Sequence, residues 1–370
     1  MSDNYQSHRQ PPPFLPEEII FQILLRLPVR WLLELKRVCK SWKTLISNPI
    51  FTKSHLQNLK MNPSISHQHI FTSLLIYEPS KIAYFPLKPL LKNGSDRPTT
   101  KLVEFCMENR FVIIGSCNGL LCLFDMDRGY VKLWNPSIGF ESKKSPTLDS
   151  YHKWSITYNG FGYDHINDKY KLLVVVGRSG FNYSEKVTQI YTFGGTSWTT
   201  IQNFPSASAM NFVGKFVSGT LNWVIIKSNQ TVILSFDLEK ETYKEVLLPE
   251  HDGVEIRNTR IGVLSDCICV CFDSKQTYLD FWVMKKYGVV ESWTRLMMIP
   301  YENSWLRGQS FVPPSFIELL FIFENSIVLL RTFSKFMLYN LNNGSLDYIP
   351  DIQFLNDHHI YYETLVSPQF

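Results

Sequence analysis

No stretch of this 370-residue chain approaches the ~20 consecutive apolar residues that a membrane-spanning helix requires. Charge of one sign is scarce as well. Thirty-seven Lys and Arg against 33 Asp and Glu leave a net +4 with no Lys/Arg block, so neither a nucleic-acid nor a membrane-surface footprint is indicated. The seven cysteines, at 39, 106, 117, 122, 267, 269 and 271, contain no CxxC pair, which removes the common zinc-finger and redox motifs. Catalytic signatures are missing too: there is no GxSxG, P-loop, GxGxxG ahead of a helix, or HExxH. The opening MSDNYQSHRQPPPF is polar and proline-rich without an apolar core, so no secretory signal is expected. These absences together predict a soluble protein of the cytoplasm or nucleus.

What remains is a globular composition, 45% hydrophobic and 14% aromatic, sufficient for a large core and of a length suggesting about two domains. Cys267-Ile268-Cys269-Val270-Cys271 alternates like a strand, so its three thiols share one face. Donors in a row on one strand poorly surround a tetrahedral metal. A buried, reduced face using cysteine as a small hydrophobe is expected instead. His67-Gln68-His69 and His358-His359 read as solvated loop or strand-edge histidines rather than ligands, so no metal or cofactor is expected. Asp125-Met126-Asp127-Arg128-Gly129 opens like a calcium loop but lacks the later bidentate Glu; a tight hairpin turn accounts for it. Sequons at Asn93, Asn182, Asn229 and Asn343 read as polar turns, two of them being Asn-Gly hairpin dipeptides.

The one stretch with a sustained helical period is Leu15 to Phe51. Pro16 suits a helix start, with Glu17 and Glu18 in the first turn where the dipole favours negative charge. Ile19, Ile20, Ile23, Leu24 and Leu27 recur at three- and four-residue spacing. Pro28 ends that helix. A second run from Val29 carries Leu32, Leu35, Val38, Cys39, Trp42, Leu45 and Ile46 and is expected to close at Asn48-Pro49. The module holds more apolar positions than so short a bundle can bury on itself, which fits either a partner interface or a helical cap on the rest of the chain.

Residues 1–13 are expected to be disordered, and Lys60-Met61-Asn62-Pro63 to act as a linker. From His69 the pattern turns to short β-rich runs, IFTSLLIY (70–77) and KIAYFPL (81–87) forming a first hairpin. Units at 119–138, 170–205, 214–249, 261–300 and 318–350 then share an outline of apolar strand, Gly- or Asn-bearing turn, aromatic-bearing strand and proline exit. The exits at Pro205, Pro249, Pro300 and Pro350 fall 44 to 51 residues apart. That period predicts blades of a kelch-like β-propeller, with room for about six. The run HIYYETLV (359–366) is expected to pair into the first blade and remove its open edge. A β-sandwich or two smaller β domains are the competing architectures. At blade spacing, Trp134, Trp198, Trp223, Trp293 and Trp305 are expected to lie mostly between blades. Candidate binding loops are 91–110, 139–156, 178–188, 250–260 and 301–314, the last two carrying Asp252, Glu255, Arg257, Arg260, Trp305 and Arg307.

With these residues laid out, the N-terminal stretch resembles an F-box. The match runs through Leu15-Pro16-Glu17-Glu18, Ile23-Leu24, Arg26-Leu27-Pro28-Val29, Leu32-Leu33, Val38-Cys39-Lys40-Ser41-Trp42 and Leu45-Ile46. The remainder resembles the plant F-box and kelch-associated families, S-locus F-box-like proteins included. The carrying motifs are Gly115-Ser116-Cys117-Asn118-Gly119-Leu120-Leu121, Leu133-Trp134-Asn135-Pro136, Phe161-Gly162-Tyr163-Asp164 and Asp168-Lys169-Tyr170-Lys171-Leu172. The diglycine that usually precedes the Tyr and Trp of a kelch blade is missing, and Gly194-Gly195 follows Tyr191 instead.

The resemblance implies a mainly β chain with a small N-terminal α module: an F-box over 14–60 followed by a kelch-like propeller over 61–370. It implies a non-catalytic adaptor, the substrate-recognition subunit of a Skp1–cullin–F-box (SCF) ubiquitin ligase. The F-box would dock on a Skp1-type protein, and through it on a cullin, a RING subunit and an E2. The propeller would hold a protein target for ubiquitination and degradation, an RNase if the S-locus likeness extends so far. Leu15, Pro16, Ile20, Ile23, Leu27, Pro28, Leu32, Leu35, Val38, Cys39 and Trp42 are thereby assigned to facing Skp1 or fixing the helices. Two other classes stay open: a β-propeller enzyme or sugar-binding protein capped by helices, and an F-box interaction protein acting outside a ligase.

Overall fold

The computed structural model describes residues 15–61, 68–74, 80–87, 89, 102–148, 154–178, 186–205, 208–228, 230–250, 259–274, 277–300, 317–323, 326–332, 336–349 and 358–368. The expectation for residues 1–13 lies outside that set. Two compact units emerge, one from residues within 1–66 together with Glu363–Val366, the other from 67–362 together with 367–370.

The first unit holds four helices, α1 (Glu17–Leu24), α2 (Val29–Leu35), α3 (Lys40–Ser47) and α4 (Pro49–Met61). Pro16 and Pro28 sit at the N-caps of α1 and α2 with ψ of 145° and 149°, each one residue ahead of the helix it starts. The single run expected from Val29 is in fact two helices, parted where Cys39 turns extended (φ −155°, ψ 164°). The apolar spacing continues in register across this turn, so period alone could not place it. Asn48-Pro49 does not close the module either. Asn48 is extended, its side chain accepts the Ile50 N–H at 2.8 Å, and Pro49 starts α4.

The helix α4 supplies much of this unit's core. Phe51 is fully buried and meets Phe21 edge to face at 5.3 Å. One turn further on, His55 donates Nε2–H to the Leu27 carbonyl at 2.9 Å, and Asn58 donates to the Leu25 carbonyl at 2.9 Å. Both carbonyls lie just past α1, where the helical ladder has ended and leaves terminal carbonyls without partners. Two side chains of α4 thus satisfy the corner that the proline creates.

The second unit is made of antiparallel sheets in chain order. The first contains β1 (Gln68–Leu74), β2 (Lys81–Pro86) and β3 (Val103–Cys106). A second holds β4 (Phe111–Cys117), β5 (Leu120–Asp125), β6 (Val131–Asn135) and β7 (Phe140–Glu141). Next come β8 (Trp154–Asp164), β9 (Lys169–Arg178), β10 (Lys186–Thr192) and β11 (Thr199–Thr200). They continue into β12 (Ser208–Ala209), β13 (Val213–Val217), β14 (Thr220–Lys227), β15 (Gln230–Asp237) and β16 (Thr242–Val246), making one nine-stranded sheet. Two further four-stranded sheets follow. They are β17 (Arg260–Leu264), β18 (Cys267–Ser274), β19 (Tyr278–Met284) and β20 (Trp293–Pro300), then β21 (Glu318–Ile322), β22 (Ile327–Arg331), β23 (Phe336–Asn340) and β24 (Leu346–Ile349). The last strand, β25 (His359–Tyr362), returns to β1, pairing Phe71 with His359 and His69 with Tyr361. The expected closing strand is therefore found.

Four separate four-stranded sheets appear where the period called for about six blades. The other repeats run together because β8 and β13 pair in parallel over Asn159–Gly160 and Val213–Gly214. Glycines permit this approach: a Cβ on Gly214 would stand 2.5 Å from the indole of Trp223, and one on Gly160 3.0 Å from it. Trp223, wholly buried, occupies that space.

Successive sheets pack face to face. Phe71 and Ile82 join Ile113, Leu121 and Trp134; Leu173 and Val175 join Leu221, Trp223 and Phe236; Val224 and Ile233 join Ile268, Val270 and Phe272. Cys269 and Cys271 face Leu319, Val328 and Leu330, so alternate residues of β18 serve two different neighbours. Ile70, Ala83 and Phe85 of the first sheet then meet Leu329, Phe336 and Leu338 of the last. The succession of neighbours returns to its start, a propeller-like arrangement.

Candidate protein-docking site

Helix α1 has two apolar faces, which the sequence spacing alone merged into one. Leu24 points inward and is 1% exposed, with Ile20 half-buried beside it. Leu15, Ile19 and Ile23, four residues apart, form a second row that the unit leaves 55%, 46% and 49% exposed. Trp31 and Val38 are exposed to a similar degree, at 53% and 64%. Arg30 lies 5.4 Å over the Trp31 ring, keeping a cation beside this apolar surface.

The structure divides the eleven residues assigned by resemblance. Leu15, Pro16, Ile23, Val38 and Cys39 are exposed; Ile20, Leu27, Pro28, Leu35 and Trp42 are half-buried. Leu32 is fully buried in the unit's core and falls on the helix-fixing side. Ile19 and Trp31, exposed to a similar degree, were not among the eleven, although Ile19 sits at the same four-residue spacing as Leu15 and Ile23.

The motifs of the β unit hold sheets together. Asn118 (φ 53°) and Gly119 (φ 73°) make the β4–β5 turn, and a Cβ on Gly115 would stand 2.5 Å from the Phe161 Cβ. Asn135 of Leu133-Trp134-Asn135-Pro136 accepts the Tyr361 hydroxyl at 2.6 Å, tying β6 to the closing strand. Asp164 accepts N–H groups from Ile166 and Asn167 and pairs with Lys171. Lys171 in turn donates to the Leu238 carbonyl (2.6 Å) and to Glu241 (2.9 Å), crossing into the β15–β16 turn. Burial alone would raise the Asp164 carboxyl, but Asn167 and Lys171 outweigh it and hold it below its usual range. These residues are structural ties.

The tryptophans behave similarly. Trp134, Trp223 and Trp293 are buried, and Trp198 is half-buried. Trp198 donates to the Pro146 carbonyl at 3.0 Å and Trp293 to Leu247 at 3.1 Å, each bonding to the preceding repeat. Trp305 lies outside the described residues. Asp125 does cap a tight turn: its carboxylate accepts N–H groups from Asp127 and Arg128, with Gly129 at φ 68°. Asp237 and Asn340 cap matching turns.

The histidines correct an expectation. His69 and His359 are buried on adjacent strands rather than solvated in loops, His69 lying 4.9 Å from the Tyr84 ring. Among the described residues no group of three or more His, Cys, Asp or Glu could hold a metal. The seven cysteines form no disulfide. Of the candidate binding loops, 301–314 and most of 250–260 and 178–188 lie outside the described residues, as do 91–101 and 149–153.

Comparison with known proteins decides the family. Residues 90–349 match the F-box associated beta propeller domain and residues 13–57 an F-box-like domain. The chain belongs to the F-box-associated β-propeller family. Neither match is to a catalytic domain. An F-box/kelch-repeat protein of Arabidopsis thaliana is 29% identical over 371 residues, covering 96% of both chains. An F-box protein of the same plant is 28% identical over 75% of this chain and 71% of its own. A solved chain of the nidogen/laminin complex covers 80% of this one and 99% of itself at 12% identity and a TM-score of 0.46. An F-box joined to a β-propeller is the general composition of a substrate-recognition subunit, with a Skp1-type partner implied by the F-box.

Proposed function

We propose that this protein is the target-binding subunit of an SCF ubiquitin ligase. Its F-box docks on a Skp1-type adaptor linked to cullin, RING subunit and E2, and its propeller holds a protein to be ubiquitinated. The observation that carries the reading is the outward row Leu15, Ile19 and Ile23 on α1, an apolar face that the folded unit does not bury. Trp31 and Val38 extend it, and aromatic anchors of this kind dominate protein interfaces. The chain then supplies no bond-making group. It raises the target's effective concentration at the E2, turning a bimolecular encounter into a local one.

On this reading the nine-stranded sheet is two blades fused at their leading strands, β8 and β13, so the ring has six. The target is a protein; the S-locus likeness makes an RNase one class worth testing. The cytoplasm or nucleus is the compartment that goes with ligase work.

The test is co-purification of the full chain with a Skp1-type adaptor and cullin. Ile23→Asp, on an exposed position, should abolish adaptor binding while leaving the melting temperature within a degree or two. A folded wild-type chain that binds no adaptor sinks the proposal.

A further inference from the structure

The helical unit is charged in a way the rest of the chain is not. Residues 15–61 hold eight Lys and Arg against three Glu, while the whole chain carries only +4. The protein's entire positive excess therefore lies in this short stretch. Its carboxylates do little to offset the excess. Glu17 and Glu18 open α1, ahead of the cations. Glu34 pairs with Arg37 at 3.3 Å with both side chains largely in solvent, where such a pair contributes little. Arg26, Arg30, Lys36, Lys40 and Lys43 meet no carboxylate among the described residues. In the β unit, by contrast, Lys81 meets Glu104 at 2.8 Å, Lys132 meets Glu141 at 2.7 Å and Lys227 meets Glu245 at 2.5 Å.

These cations border the apolar docking surface. Arg30 lies over the Trp31 ring, and Val38 stands between Arg37 and Lys40 where the chain passes from α2 to α3. Lys40 and Lys43 lie in the first turn of α3, both exposed. Lys36 is half-buried, and burial and then Lys43 lower its ammonium, so two like charges are held near each other. Like charges gathered without an anion repel, and an incoming carboxylate relieves them. Surfaces that serve solubility alone intersperse both signs. This one does not.

We propose that this basic patch is the electrostatic half of the docking surface, and that the Skp1-type adaptor meets it with an acidic face. Apolar contacts at Leu15, Ile19 and Ile23 hold the complex, and the patch steers the adaptor onto them from solution. The acidic face deepens the adaptor reading above and rests on it.

The experiment follows association and dissociation of the full chain with the adaptor at about 50 and about 500 mM sodium chloride, between which the screening length falls from about 14 to about 4 Å. Association should slow about tenfold with salt while dissociation changes little. Lys40→Glu/Lys43→Glu should associate about tenfold more slowly at the lower salt and lose most of the salt dependence. Its melting temperature should hold or rise, because an acid in the first turn of α3 suits the helix dipole. Lys40→Arg/Lys43→Arg, which keeps the charge, should associate like wild type. The proposal is overturned if association is indifferent to salt, if the charge-reversed variant associates as fast as wild type, or if the charge-conserving variant is as slow as the reversed one. Loss of binding to phosphatidylserine vesicles in the reversed variant, with adaptor association unchanged, would overturn it by assigning the patch to a membrane. Should the reversed variant fail to fold, Lys43→Gln decides, with association slowed about two- to threefold. A salt-indifferent complex leaves the ligase reading intact, whereas a folded chain that binds no adaptor sinks both.

Discussion

Lys171 Nζ lies 3.2 Å from Asp164 Oδ2, and neither side chain has more than 8% of its surface in solvent. The pair clasps the β8–β9 hairpin to the turn after β15 through Leu238 and Glu241. Breaking a buried pair from one side leaves an uncompensated charge, a loss of about 3–5 kcal/mol. Lys171→Met is expected to destabilise within that range. The double variant Lys171→Met/Asp164→Asn should fall short of the sum of the two singles. Urea titration checks both.

Acid should weaken the fold through His359 before the carboxylates titrate. Burial and Lys215 lower its imidazole to about 3, against about 6.5 when unfolded. The unfolded chain therefore takes up the proton first. Stability from this group is complete above about pH 6.5 and drains away as pH falls toward 3. Between pH 7.5 and 5 the loss is about 2 kcal/mol. His359→Asn should be less stable at pH 7.5 yet show a flatter pH profile; His55, also lowered by burial, adds a smaller decline in the same direction.

Gly115 faces the Phe161 Cβ, an atom fixed to the β8 backbone rather than the far end of a flexible side chain. Gly115→Ala should cost about 1–3 kcal/mol by overpacking. Gly139→Ala meets no atom within 4 Å but must hold a φ of 66°, a smaller cost of about 1 kcal/mol. Equal melting temperatures for the two variants would contradict this ordering.

Thiol labelling of the native protein should divide the cysteines. Cys39 and Cys106 are exposed. The Ser41 hydroxyl and then the Trp42 N–H lower the Cys39 thiol, which favours its thiolate. Burial pushes Cys269 up to about 12 and raises Cys122 and Cys271. Two fast-reacting thiols are expected, with Cys267 slower and the rest reacting only on unfolding. Rapid labelling of Cys269 or Cys271 without denaturant would show that the β18 face opens.

How much of this was legible beforehand differed by element. The β period, the first hairpin, the alternating face of β18 and the return of β25 all follow from spacing, because a strand's two faces alternate strictly. Helix boundaries were harder. The turn before Cys39 interrupts no apolar repeat, and α4 begins at the same Asn48-Pro49 that reads as an end. His69 and His359 look like solvent residues locally; only the pairing of strands nearly 300 positions apart buries them. The contact of Lys215 with Glu318 was equally hidden, since the two sit on different sheets. On α1, the pattern marked the apolar residues but not which of them the folded unit would leave uncovered.

The place of β25 has a consequence for synthesis. β1 emerges from the ribosome early, but His359–Tyr362 must still be added before its second edge is paired. At about 5–20 residues per second, that edge stays open for roughly 15–60 s. During this interval β1 offers unpaired backbone to any neighbouring strand. A message truncated before codon 359 would thus release a chain whose first sheet never acquires its last strand, a form suited to aggregation or chaperone capture rather than partial activity.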